Sequence, residues 1–298
     1  MQWCLTLKKP LTRSPHKRLV DKLKSLPNVD PRIVNWIQDF LTNRNQRVAV
    51  KNAESTTLAV TSGVHQGSVL VSTLFLIYIN DLSDCMNCNV SLYADDTLLY
   101  TPINNDTDRL LFQADIDSLH EWSSTNKMPF NTAKCDVIAF NSRGSLPPSY
   151  KIGEHSLNYV DEIKYLGVVM QSNLKFNRHI ASKVNSAKKV LGCIKYALNG
   201  APQPAQLLAY SSLCRPIFEY VNILWGPADA ASIQEHEAVQ NRVLIFFKSI
   251  KEKQGITEER TALRLHELKD RRKSYRFALM TKILSDDEKL AVLFSVKL

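Results

Sequence analysis

The chain has 298 residues, 44% apolar and 22% charged, which is ordinary globular usage and excludes a disordered or fibrous protein. Its 38 Lys plus Arg against 29 Asp plus Glu leave a formal charge of +9, a balance that favours a polyanionic partner without requiring one. The first dozen residues carry no secretory signal and the longest apolar run, Val69 to Ile79, is too short for a bilayer, so the expectation is an intracellular protein, nuclear or cytoplasmic, not secreted and with no membrane segment.

Pro15 opens a helix from His16 to Leu26 with Leu19, Leu23 and Leu26 at helical spacing, and Asp30-Pro31 opens a second, its apolar face Ile33, Ile37, Phe40 and Leu41, ending near Asn43. Two short strands, Gln46 to Lys51 and Thr57 to Thr61, precede a loop bracketed by Gly63 and Gly67, and Ser72 to Leu82 reads as a helix packed on both sides. The β-formers Val90-Ser91-Leu92 and Thr97-Leu98-Leu99-Tyr100 flank Tyr93-Ala94-Asp95-Asp96 and read as a tight hairpin. Asp106 to Asn126 is a long amphipathic helix carrying Leu111, Ile116, Leu119 and Trp122; a strand from Cys135 to Phe140 and an exposed linker from Asn141 to Ser149 follow. Strands come next around Tyr150 to Ile152 and from Ile163 to Met170. From Asn177 onward the pattern is helix after helix, broken at Asn199 to Pro204 and at Gly226-Pro227, which places a domain boundary near residue 172 and gives parts 1–171 and 172–298. Trp36, Trp122 and Trp225 lie on apolar helix faces and are read as core.

Six cysteines, at 4, 85, 88, 135, 193 and 214, are scattered; Cys85 and Cys88 form a C-x-x-C with no second pair at zinc-finger spacing, so buried thiols are the better reading. The chemistry concentrates instead at Asp95-Asp96. Two carboxylates in a row on a strand would face opposite ways, and a turn redirects at least one of them. Hard oxygen ligands in an apolar neighbourhood suit Mg²⁺, which takes one or two carboxylates and completes its shell with water and substrate phosphate; phosphoryl transfer is the natural chemistry. Taken alone, an Asp-Asp more often caps a solvated hairpin, and the context reverses that reading.

Three ordered motifs give the pair its context: Gly63-Val64-His65-Gln66-Gly67-Ser68, Leu74-Phe75-Leu76-Ile77-Tyr78-Ile79-Asn80-Asp81-Leu82 and Tyr93-Ala94-Asp95-Asp96. Their order and spacing resemble the reverse transcriptases of non-LTR retrotransposons, the jockey-like elements and their relatives. Phe130-Asn131-Thr132-Ala133-Lys134-Cys135 resembles the lysine motif after the active-site hairpin, Tyr165-Leu166-Gly167-Val168 the primer grip, and Arg215-Pro216-Ile217-Phe218-Glu219-Tyr220 with Trp225 the thumb and connection segment. The resemblance implies an α/β (α+β) fold, a polymerase palm with an antiparallel sheet flanked by helices and then a helical thumb. It implies RNA-directed DNA polymerase activity with Mg²⁺ as cofactor, Mn²⁺ being the alternative, and an RNA template, a DNA primer and deoxynucleoside triphosphates as partners. Asp95 and Asp96 match the metal ligands and Lys134 a general acid toward pyrophosphate. Gln66, Gly67 and Tyr93 match the nucleotide and template contacts, and Tyr165, Leu166 and Gly167 the primer grip.

The chain departs from the family where a further metal-binding aspartate is expected, in a pattern like Leu-Asp-x-x-Lys-Ala-Phe-Asp-x-Val-Pro-His. Here the stretch runs Leu5-Thr6-Leu7-Lys8-Lys9-Pro10-Leu11-Thr12-Arg13-Ser14-Pro15-His16, with threonine at both aspartate positions. A hydroxyl does not replace a carboxylate between two dications, and a ligand worth ~4 kcal/mol of transition-state stabilisation is about a thousandfold in rate. The fingers subdomain that precedes the palm in the family would lie upstream of residue 1. The expected outcome is a polymerase site with impaired chemistry. Two other outcomes stay open: a non-catalytic nucleic-acid-binding remnant using the basic run Arg260, Arg264, Lys269, Arg271, Arg272, Lys273 and Arg276, and a decayed element copy with no activity.

Overall fold

The computed structural model describes residues 2–6, 15–51, 53–63, 67–140, 149–227, 229–248 and 260–285, with backbone alone for 2–6 and 247–248. The linker over 141–148 and the loop residues Val64, His65 and Gln66 lie outside the described residues. Two compact units divide the chain, Met1–Gly167 with Gln171–Leu174, and Val168–Met170 with Lys175–Leu298. Among the described residues no helix is long and apolar enough to cross a membrane.

The first unit opens with strand β1 (Gln2–Thr6) and helices α1 (His16–Ser25) and α2 (Pro31–Leu41). Asp30 caps α2, its side chain accepting from the Arg32 N–H at 2.8 Å, and Pro31 fills the first helical position, where a missing N–H costs nothing. A ladder of two-residue strands follows: β2 (Asn45–Gln46) pairs with β5 (Leu58–Ala59), and β3 (Ala49–Val50) with β4 (Ala53–Glu54). Helix α3 (Leu70–Ile79) runs into a 3₁₀ turn over Asn80–Cys85; then come the hairpin β6 (Asn89–Tyr93) and β7 (Asp96–Tyr100), helix α4 (Asp106–Thr125) and strand β8 (Asp136–Ile138). The short β9 (Lys151–Ile152) and β10 (His155–Ser156) pair as a hairpin, and β11 (Asn158–Tyr159) lies parallel to β8. The main sheet has the order β11-β8-β1-β7-β6, antiparallel except at its β11 edge, and α3 and α4 supply Leu74, Tyr78, Ile116 and Leu119 to the core beneath Leu99 and Val137.

Polar groups join these pieces. Asp115 is buried within α4 and accepts from the backbone N–H groups of Asn87 (2.8 Å) and Cys88 (2.9 Å), so the chain entering β6 is tied to the helix. Lys22 of α1 donates to the Tyr78 carbonyl at 2.6 Å and to Asp81 at 2.7 Å while lying over the Tyr78 and Trp122 rings. Trp122 donates to the same Asp81 oxygen at 3.1 Å, so one carboxylate links α1, the end of α3 and α4.

Four side-chain placements differ from the sequence reading. Ile33, Trp36 and Leu111 are exposed, at 52%, 57% and 56%, because α2 buries Val34, Ile37 and Leu41 and α4 buries Phe112. Trp36 stacks on Phe40, and Leu76 of α3 is also exposed, so that helix is packed on one side only. The expected single strand over 163–170 is a hairpin, β12 (Glu162–Tyr165) and β13 (Val168–Gln171), turned by Leu166 (φ 45) and Gly167 (φ 79), the two positive values a type I′ turn requires.

The second unit is helical: α5 (Asn177–Ala197), α6 (Gln203–Ala209), a π-helical turn over Tyr210–Cys214, α7 (Arg215–Glu219), α8 (Asn222–Trp225), α9 (Ala230–Lys248) and α10 (Leu268–Ser285). Its core joins Val184, Leu191, Tyr210, Phe218, Val239 and Leu268. Trp225, 1% exposed, lies between two buried imidazoles, the His179 ring 4.8 Å away and the His236 ring 6.0 Å away, centroid to centroid. The Val169 N–H donates to His179 Nδ1 at 3.0 Å, and His236 Nδ1–H donates to the Ser232 carbonyl at 2.7 Å. Burial holds both rings neutral, pushing His179 down to about 4 and lowering His236 as well.

Two outcomes follow from these contacts. Asp115→Ala leaves the part-buried Asn87 and Cys88 N–H groups without their acceptor and should lower the unfolding free energy by about 2–3 kcal/mol in urea titration, since each bond to a carboxylate is worth roughly 1.5–3 kcal/mol when fully buried. Because the folded imidazoles bind protons less readily than unfolded ones, their contribution is complete above about pH 6.5 and is lost as pH falls toward 4. The melting temperature of the native chain should therefore fall over that window, and His179→Gln, which keeps an acceptor for Val169 without titrating, should flatten the fall.

Candidate active site

The β6–β7 hairpin closes on two residues, Ala94 and Asp95, with Tyr93 paired to Asp96. Of the two turn residues Ala94 alone has a positive φ, 50°, so the backbone carries left-handed strain beside the carboxylates that glycine would avoid. Tyr93 is 63% exposed, and Asp95 and Asp96 are half-buried.

The register across the sheet decides what else reaches this turn. β7 pairs with β6 on one side and β1 on the other, and Thr6 is the partner of Asp96. On the far side of β1, Cys4 pairs with Asp136, the first residue of β8. Positions two apart on a strand share a face, so Asp96, Thr6, Cys4 and Asp136 are register positions of one face at one end of the sheet. Lys134 is exposed and ends the 3₁₀ turn Thr132–Lys134, two residues before β8 begins at Asp136. Asp136 drew no attention as sequence, because only strand pairing brings it to this end; burial raises its carboxyl above the ordinary range.

The remaining residues stand on other segments. Gly67 has φ +92 and an added Cβ would meet nothing within 4 Å, so its glycine answers to backbone conformation rather than close packing. Gln66 lies outside the described residues. Gly63, at φ 83, is fixed by His16, whose Nε2–H donates to the Gly63 carbonyl at 2.7 Å. Tyr165, Leu166 and Gly167 form the β12–β13 turn, half-buried and outside the main sheet.

The other candidate chemistries fare differently. The buried-thiol reading holds for Cys135 and Cys214 but not for Cys85 and Cys193, which are exposed; burial and the nearby Asp115 push the half-buried Cys88 thiol up to about 12, and partial desolvation raises Cys85. In the basic run, Arg260 bonds Glu267 and Asn241, Arg271 bonds Glu219, Lys269 pairs with Glu267 at 3.3 Å, and Arg272 is buried. Much of that positive charge is therefore spent inside the helical unit. Ala94→Gly should keep or raise stability by up to about 1 kcal/mol, and Ala94→Val, β-branched at positive φ, should lower it by more than about 1 kcal/mol, both read by urea titration.

Comparison with known proteins bears on this hairpin directly. The family model for reverse transcriptase (RNA-dependent DNA polymerase) matches residues 12–170, just over half of the chain. The chain is 26% identical over 254 residues to the RNA-directed DNA polymerase from mobile element jockey of Drosophila funebris, covering 80% of this chain and 27% of that one. It is 24% identical to the jockey polymerase of Drosophila melanogaster over the same shares, and 26% identical to a probable RNA-directed DNA polymerase from transposon X-element of Drosophila melanogaster, over 70% of this chain and 24% of that one. Among solved structures, a telomerase from Candida albicans in complex with a fragment of telomeric RNA aligns at a TM-score of 0.32 and 14% identity, over 88% of this chain and 47% of that one. The chain thus spans about a quarter of the length of the curated relatives it matches. It belongs to the reverse transcriptase (RNA-dependent DNA polymerase) family, in the branch carried by non-LTR retrotransposons.

Proposed function

We propose that this chain is the palm, residues 1–171, and thumb, residues 172–298, of an RNA-directed DNA polymerase whose nucleotidyl-transfer site lacks one carboxylate. The observation that carries the proposal is the pairing of Thr6 with Asp96. It supports Thr6 as the position where the family's further metal-binding aspartate belongs.

Asp95 and Asp96, adjacent at a turn, fit one hydrated Mg²⁺ or Mn²⁺, which needs one or two carboxylates. They do not fit a bridged pair of ions, and among the described residues no group of three His, Cys, Asp or Glu is placed to hold a metal. A bound ion at Asp95 and Asp96 would supply charge neutralisation for triphosphate oxygens.

The other roles belong to the chain itself. Tyr93 stands exposed beside the pair, where it supports the primer end. The Lys134 ammonium, exposed at the same end of the sheet, is positioned to donate a proton toward leaving pyrophosphate. Gln66 and Gly67 offer backbone to nucleotide and template, and the Tyr165-Leu166-Gly167 turn holds the primer strand. A purely nucleic-acid-binding role through the Arg260–Arg276 run is less favoured, because Arg260, Arg271 and Arg272 face inward partners or are buried.

Primer extension on an RNA template with all four deoxynucleotides tests this. The native chain should extend at or near background with Mg²⁺ and weakly with Mn²⁺. Thr6→Asp should raise extension at least a hundredfold, within the thousandfold that ~4 kcal/mol allows, and adding Asp95→Ala should abolish the gain. Strong native extension indifferent to Asp95→Ala, or no gain from Thr6→Asp in a folded variant, would overturn it.

A further inference from the structure

A second place in the first unit has a preformed shape and unspent charge. Between α4 and the β9–β10 hairpin lies a cleft of about 510 Å³ with Phe130 and Ile152 in its floor and His120, Lys127, His155 and Glu154 on its rim. Its walls are bolted together: the Gln113 side chain donates to the Lys151 carbonyl at 2.8 Å and accepts from the Lys151 N–H at 3.0 Å, joining α4 to β9 by a two-bond amide pair. The His120 imidazole lies so close to Gly153, where φ is +56, that an added Cβ would come within 2.9 Å of the ring, so glycine suits both the turn and the ring position.

The cleft sits at the C-terminal end of α4, where free carbonyls would ordinarily repel an anion. Here most of them are occupied: those of Trp122, Ser123 and Ser124 have donors. The His120 carbonyl accepts from Ser124 Oγ at 3.0 Å, that of Trp122 from the Asn126 N–H at 2.8 Å, that of Ser123 from the Met128 N–H at 2.9 Å and that of Ser124 from the Lys127 N–H at 3.2 Å. Among the described residues, the side chains of His120, Lys127 and His155 make no hydrogen bond or ion pair. One carboxylate, Glu154, stands beside the Lys127 ammonium and two imidazoles that offer ring N–H donors. We infer that this cleft binds a phosphate group, that of a nucleotide or of a nucleic-acid strand, through Lys127, His120 and His155. The inference does not depend on polymerase activity.

Orthophosphate, a deoxynucleoside monophosphate and a short single-stranded oligonucleotide, each titrated into the full chain, test it through the imidazole proton signals of His120 and His155. Both rings should shift saturably. Lys127→Gly, which suits the residue's φ of +52, should weaken binding at least fivefold with native melting, and Glu154→Gln should tighten it at least twofold. An oligonucleotide bound at least tenfold more tightly than orthophosphate assigns the site to a strand, and equal affinities assign it to an isolated phosphate; either upholds the site. Rings that do not respond, or unchanged affinity in both Lys127→Gly and a folded His155→Ala variant, overturn it.

Discussion

The register of β7 is the constraint on which the candidate site depends. That strand is hydrogen-bonded on both edges, and Thr97, Leu98 and Leu99 are all buried, Leu99 beneath the helices. A slip of one residue would move every side chain to the opposite face, trading the core position of Leu99 for its neighbours. Such a slip would bring Asp96 or Tyr100 to a position that the buried Thr97 or Leu99 now fills. Core packing therefore fixes which residue of β1 stands opposite Asp96, and that residue is Thr6. Chemistry at the edge of the sheet is set by apolar packing in its middle.

The other fixed points act on the same hairpin from the flanks. Asp115 holds the chain where it enters β6, and Asp81 gathers Lys22 and Trp122 at the end of α3. Both are carboxylates used as structural acceptors, and neither was visible as such in the sequence, where each is one more polar residue on a helix. Their partners lie at separations of 27 to 59 residues, beyond the reach of any local pattern.

Periodicity located the helices of both units, because a helix depends on residues three or four apart, and the polar break between two runs of β-formers located the hairpin that closes on Ala94 and Asp95. Periodicity failed where burial depends on what lies opposite. Ile33 and Trp36 share a plausible apolar face with Ile37, yet the helices packed on α2 meet Val34, Ile37 and Leu41. The Leu166-Gly167 turn was hidden because leucine rarely takes a positive φ, so only Gly167 signalled it. The basic run near the C-terminal helices read as a solvated or binding face, while Glu219, Glu237 and Glu267, scattered in sequence, come together to neutralise part of it. At the hairpin, by contrast, the motif residues quoted from sequence are those the turn and ladder present, except Asp136, which pairing alone reveals.

Family membership and the threonine at position 6 are separable facts, and metal affinity is the quantity that would connect them. The most direct measurement is Mn²⁺ titration of the native chain and of Thr6→Asp, read as paramagnetic broadening of the backbone amide signals of residues 93–98. Broadening should be weak and centred on Asp95 and Asp96 in the native chain, with affinity at least tenfold higher in Thr6→Asp and no broadening in Asp95→Ala. Equal affinity with and without the introduced carboxylate, or broadening elsewhere that leaves the hairpin untouched, would contradict the proposal.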